Sequence, residues 1–264
     1  MNTIRKEINR TIIIRIILTI TALVIITISY NLYRIDQYAL INRLDFFSFN
    51  MSSFIPFLFP LFTVIIFAQP FSNEFTNDFI FYTHSRIDFK DYVHNKLVTN
   101  SLVVFVSFFA TIFLIFIFSY YIEPLFDLVT YQPEQLIGLS TQEVLRYEES
   151  MFTFSQLVTY SPLLMGVIYS FWVGLNAVVY STMAILTLLL IENTFIALSI
   201  PFLFYHISSF VVAVLGFENF LFDATIFPFN IEQQSLITIF PPFVIVVALN
   251  VWLYWLFIKR LNHK

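Results

Sequence analysis

The chain has no cysteine, only 4 glycines, and a charged fraction of 11% over its 264 residues. Each scarcity excludes something. Without cysteine there is no disulfide, no thiolate metal site and no cysteine nucleophile. So few glycines do not build a phosphate-cradling loop, and G-x-x-x-x-G-K-[ST] occurs nowhere, which excludes ATP hydrolysis by a P-loop on this chain. A soluble domain of this length carries roughly a quarter of its residues as charges, so a soluble globular enzyme is excluded too. Thirteen Lys and Arg over the whole length do not make a nucleic-acid binder.

What the chain has in abundance is apolar surface. Hydrophobic residues make up 59% of it, with 35 Phe and a mean hydropathy of +0.82. A bilayer core of about 30 Å takes about 20 apolar helical residues. Uncharged runs long enough for this lie between Arg15 and Arg34, Asp45 and Glu74, Lys96 and Glu123, Glu149 and Glu192, Glu192 and Glu218, and Glu232 and Lys259. They predict six transmembrane helices, at about 16–33, 50–69, 97–120, 163–190, 194–215 and 236–258. Ten of the 13 Lys and Arg then fall on the side of the N-terminus, whereas 11 of the 17 acids fall on the other. The positive-inside rule therefore puts both termini in the cytoplasm. The expected fold is all-α and polytopic, one six-helix domain over 1–264 in the cell membrane. The basic start could mimic a secretory signal, but the apolar run after it ends without a small-x-small cleavage site and stays a span. Before that span, Ile4, Ile8 and Ile12 alternate with Arg5, Lys6 and Arg10. This suits an amphipathic N-terminal helix on the inner leaflet, or equally well ordinary positive flanking.

The segments between spans carry more information. In the cytoplasmic loop 70–96, Pro70 suits a helix start, and Phe71, Phe75, Phe79 and Tyr82 follow at helical spacing beside Glu74 and Asp78. Ser85 with Asp88 then caps a second helix that runs through Lys90 and Lys96 into span three. An aromatic stripe on the cytosolic side points to an interfacial helix or to a partner's groove. In the outer segment 121–162, Ser140 and Glu143 form a capping box for a short helix. Ile191-Glu192-Asn193 joins spans four and five as a tight hairpin. The outer segment 216–235 is too apolar for a solvated loop and reads as a re-entrant element buried against protein.

Inside the expected cores no Asp, Glu, Lys or Arg is found, which speaks against ion-coupled secondary transport. His206 is the sole ionisable side chain there; it is either a neutral hydrogen-bonding group or a substrate or proton contact. No histidine spacing suits a metal, and neither G-x-S-x-G nor H-E-x-x-H occurs. Gly166, Ser170, Gly174, Ala177 and Ser181 line one face of span four, for helix packing within the chain or for a dimer contact. Pro56, Pro60 and Pro201 predict kinks.

Six spans, cytoplasmic ends and a helical loop after span two resemble the permease subunit of type-2 ABC exporters. The likeness at residue level lies in Phe67-Ala68-Gln69-Pro70-Phe71-Ser72-Asn73-Glu74-Phe75, running on to Thr83-His84-Ser85-Arg86 and Tyr92-Val93-His94-Asn95-Lys96. The resemblance implies a non-catalytic subunit that forms the path for a hydrophobic or amphipathic substrate. It implies a coupling loop in which Glu74, Phe75, Asp78, Phe79, Arg86 and Lys90 contact a separate cytosolic ABC ATPase dimer. ATP and Mg would be bound by that ATPase, with no cofactor on this chain. A second permease subunit, identical or paralogous, would complete the pathway in the lipid bilayer. The alternatives are a secondary carrier and a non-transporting immunity or scaffold protein.

Overall fold

The longest apolar run becomes the axis of the molecule. Helix α6 is Pro162–Leu190 in chain order, and 67% of its apolar window is buried. Pro162 takes its first position, where a missing N–H costs nothing. The computed structural model describes residues 10–68, 89–132, 140–229, 231 and 233–262. Among these the remaining helices are α1 (Arg10–Arg34), α2 (Arg43–Met51), α3 (Ile55–Thr63), α4 (Phe89–Ile117), α5 (Thr141–Ser150), α7 (Thr194–Val214) and α8 (Phe240–Asn262), and no strand occurs. Five helices are long and apolar enough to cross a membrane, and the bent pair α2–α3 makes a sixth crossing if it is counted as one. One end of the bundle gathers Lys96, Lys259 and Arg260, and is called the basic end below; the other gathers Glu123, Glu143 and Glu148, and is called the acidic end.

Helix α1 starts at Arg10, so residues 10–15 continue the helix of the first span; residues 1–9, most of the expected amphipathic stretch, lie outside the described residues. Over the expected second span, 50–69, lies the pair α2–α3. It begins at Arg43, where Asn42 caps the helix by accepting the Asp45 N–H at 2.8 Å. It breaks at 52–54, and its two halves meet at 55°. The break follows from composition. Pro56 has no N–H for the Ser52 carbonyl, and the Ser52 and Ser53 hydroxyls bond back to the carbonyls of Ser48 and Asn50, 2.8 and 3.0 Å away.

Pro60 lies inside α3 and likewise deprives the Pro56 carbonyl of its partner four residues on. A neighbouring helix supplies the replacement. The Tyr205 hydroxyl of α7 donates to Pro56 O at 3.0 Å. In α7 itself Pro201 frees the Ala197 carbonyl, and Thr187 Oγ1 of α6 donates to it at 2.9 Å. In both helices the carbonyl that a proline frees is thus satisfied by a neighbour, as lipid demands. Replacing Tyr205 by Phe should therefore cost about 1 kcal/mol, the scale of one interhelical hydrogen bond in a bilayer. In a Pro60→Ala background the helix N–H returns and that cost should vanish. Thermal midpoints of the four proteins in detergent check this; an equal loss in both backgrounds overturns it.

Between α7 and α8 the chain is exposed at 215–219 and becomes buried at Phe222 and at 224–228. Gly216, at φ +80°, ends α7 in a left-handed turn: Phe217 N–H bonds Val212 O and Gly216 N–H bonds Ala213 O, at 3.1 and 3.0 Å. The chain then turns back between α3, α6 and α7. Trp172 Nε1 donates to Thr225 O at 2.9 Å, and Phe227 meets the Phe59 ring edge-on at 5.2 Å. Trp172 lies ten residues into α6, so the segment reaches about 15 Å into the bundle at 1.5 Å per residue.

Candidate functional site

Of the residues expected to touch an ATPase, Glu74, Phe75, Asp78, Phe79 and Arg86 lie outside the described residues, and Lys90 lies at the basic end. Its ammonium donates to Asn262 Oδ1 at 3.1 Å and ties the start of α4 to the end of α8. Next to it the Phe89 ring packs on Phe257, with centroids 6.0 Å apart. Arg260 donates to the Leu190 carbonyl at 2.6 Å and so satisfies an acceptor that the end of α6 leaves free. Between these clamps opens a cavity of about 280 Å³, lined by Phe89, Leu188, Leu190, Phe257, Arg260 and Leu261 among others. The segment 69–88 leaves the π-helical turn Val64–Ala68 that follows α3 and returns at Phe89. A force on that segment therefore acts on the broken span and on α4 together.

Gly166, Ser170 and Gly174 face α4 within the same chain. A Cβ on Gly166 would lie 2.3 Å from the Phe116 ring, and one on Gly174 would lie 3.0 Å from Phe105. Ser170 is buried with its hydroxyl bonded to Gly166 O at 2.6 Å. Farther along, Ser181 Oγ donates to Asn100 Oδ1 at 2.7 Å. Small residues thus set an antiparallel seam on which the two central helices approach closely.

His206 sits on the open side of α7. Its Nε2 is 3.1 Å from Phe57 O, so that nitrogen carries the proton, a carbonyl being able only to accept. The rings of Phe57 and Phe202 lie 4.8 and 4.4 Å from it. The arrangement is a hydrogen-bonded aromatic cluster at the proline-broken part of span two.

At the acidic end the structure holds charges that the run lengths did not reveal. Glu123 is fully buried at the end of α4. It accepts the Val129 N–H at 2.9 Å and the Tyr131 hydroxyl at 2.5 Å. Burial, and then Glu123 itself, hold the Tyr131 phenol well above its usual range. Lys96 is buried at the opposite end of α4, its ammonium 5.5 Å from the Tyr92 ring centroid. Ser140 and Glu143 close the expected capping box on α5, and the Ser140 N–H and hydroxyl keep the Glu143 carboxyl below its ordinary value. On the same helix burial pushes Glu148 up, with Arg43 offsetting part of the shift.

Two features were not legible in the sequence. Asp223 enters the bundle on the re-entrant segment, where its N–H donates to Ser209 Oγ at 3.1 Å and its buried Oδ1 has no partner. The break of span two also opens a polar cavity of about 440 Å³ against the end of α1, which includes Asn31, Arg34 and Asp45 in its wall. Charge-interval counting leaves Asp45 outside the second span, and the re-entrant reading of 216–235 does not say where Asp223 comes to rest. Compared with protein-family models, curated proteins and solved structures, the chain matches none.

Proposed function

We propose that the chain is the membrane-spanning subunit of an ATP-driven exporter of the type-2 ABC class. It lines the path of a hydrophobic or amphipathic substrate and couples through residues 70–96 to a separate cytosolic ATPase. Both termini face the cytoplasm in this reading, and a second permease subunit completes the pathway. The observation that carries it is the second span: proline-broken, bent by 55°, ended by a π-helical turn, and leading directly into that loop. Closure of an ATPase on the loop would bend this span about bonds that α7 supplies. The aromatic side chains Phe75 and Phe79 anchor the loop in the ATPase, each worth about 2 kcal/mol or more. Glu74 adds charge-assisted hydrogen bonds.

Affinity purification in mild detergent tests this. An ABC ATPase should co-purify and turn over ATP, and Glu74→Ala or Phe79→Ala should cut its association or turnover several-fold without loss of insertion. Wild-type behaviour of both variants, or a native mass without any ATPase, would sink the exporter reading. One observation favours a second reading. Asp223 is a carboxyl-bearing residue held within the bundle, and such groups commonly serve ion-coupled carriers. That reading requires transport by the purified chain alone, driven by an ion gradient and lost in Asp223→Asn.

A further inference from the structure

The cavity at the acidic end lies where α1 stops and span two breaks, and its wall is mostly polar. Asn31, Arg34, Tyr38, Asp45, Ser48 and Ser53 contribute to it. Two opposite charges share this wall without neutralising each other. The Arg34 guanidinium is held by hydroxyls, donating to Tyr30 and Tyr38 at 3.1 and 2.7 Å, and both rings lie within cation–π reach. A guanidinium has five N–H donors, so most of its donor capacity is left for a ligand. Asp45 Oδ2 accepts the backbone N–H of Ile41 at 3.0 Å, and Oδ1 makes no hydrogen bond.

The chemistry of the occupant follows from these groups. A simple anion would bind Arg34 but stand against Asp45, and a simple cation would meet the reverse conflict. A molecule with both signs satisfies both. Its anionic centre takes the free guanidinium donors, and its ammonium donates to Asp45 Oδ1. A cavity of about 440 Å³ admits a group of this size with ordered water beside it. The geometry points to a binding site for a small zwitterion with a primary ammonium, such as the phosphoethanolamine head of a lipid or a free amino acid or dipeptide. The site stands apart from the exporter reading, since binding there needs no ATPase.

The test uses the full chain. In detergent, O-phosphoethanolamine and glycylglycine are titrated while the thermal midpoint is followed, with inorganic phosphate and ethanolamine as single-charge probes. At least one zwitterion should give a saturable rise, and each single-charge probe should bind at least tenfold more weakly. Arg34→Gln and Asp45→Asn should each weaken the zwitterion at least tenfold, and Asp45→Asn should leave the ligand-free midpoint unchanged, because Asn still accepts the Ile41 N–H. Native mass spectrometry from phosphatidylglycerol nanodiscs doped with phosphatidylethanolamine then separates the sources. A phosphatidylethanolamine retained by the wild type and lost in Asp45→Asn assigns the lipid head; glycylglycine binding without lipid retention assigns the soluble zwitterion. Absence of both, equal binding by the variants, or phosphate binding as tightly as phosphoethanolamine overturns the proposal.

Discussion

Replacing Gly166 by leucine is expected to leave no folded protein to purify. Even one added carbon there would sit 2.3 Å from Cδ1 and Cε1 of Phe116, a distance at which atoms overlap. The ring has nowhere to go. It is fully buried, edge-on to Phe47 at 5.3 Å and stacked on Tyr120 at 5.6 Å. Phe47 in turn is wedged by Tyr169 and Phe229. Gly166→Ala should therefore cost about 1 to 3 kcal/mol, the range for an overpacked core, and leucine more than that. Gly174 is the control on the same seam. Its added carbon would meet the half-buried Phe105 ring at 3.0 Å, so Gly174→Ala should cost less than Gly166→Ala. The yield of folded protein reads the leucine variant, and tryptophan fluorescence melts in detergent rank the two alanine variants. A Gly166→Ala midpoint equal to that of the wild type would show that α4 and α6 do not approach in this way.

Glu123→Ala is the second large effect. Two donors converge on this carboxyl, the Val129 N–H and the Tyr131 hydroxyl, and the first belongs to a buried residue. Each buried donor left without an acceptor costs about 1 to 3 kcal/mol. The expected total is about 3 kcal/mol, and the damage has an address. The loop after α4 takes a left-handed turn at Asp127, φ 47°, and crosses to the α1–α2 connection, where Gln132 N–H donates to Leu40 O at 2.8 Å. Leu40, Phe46 and Val129 form a small core of their own there. Hydrogen exchange should thus rise at residues 126–132 and around Leu40 but stay low along α6. Glu123→Gln, which keeps one carbonyl acceptor, should fall in between. Unchanged exchange in Glu123→Ala would mean that the loop is seated by its apolar contacts alone.

The sequence made the long helices readable because lipid imposes a crude rule: a run either lacks charge over a bilayer's thickness or it does not. Spans such as Pro162–Leu190 and Thr194–Val214 follow that rule closely, and local capping chemistry at Ser140 marked the start of α5. At the second span Asp45 looks like a stop, although Asn42 caps α2 just before it and the charge sits in its first turn. What stayed illegible was everything that depends on two distant segments meeting. No spacing announces that Tyr205 will serve a carbonyl freed by Pro60, or that Asp223 will be carried under α7. Phe116 could not be paired with Gly166 before the register of two helices was known.

The buried segment between α7 and α8 constrains how the molecule can be made. Between the short 3-10 helices Glu218–Phe220 and Leu236–Ile239 its described backbone forms turns, among them Thr225 N–H to Leu221 O and Phe227 N–H to Asp223 O. Such backbone has no place facing lipid; it becomes tolerable once Trp172, Ser209 and Phe59 stand around it. Those three come from α6, α7 and α3, all synthesised earlier. The hairpin at Ile191–Asn193 lets α6 and α7 leave the insertion machinery side by side, with the receiving cleft between them and α3 already formed. A chain truncated after Val214 would present that cleft empty, while one truncated after Phe229 would fill it. The final crossing is laid down on a surface whose shape the rest of the chain has already decided.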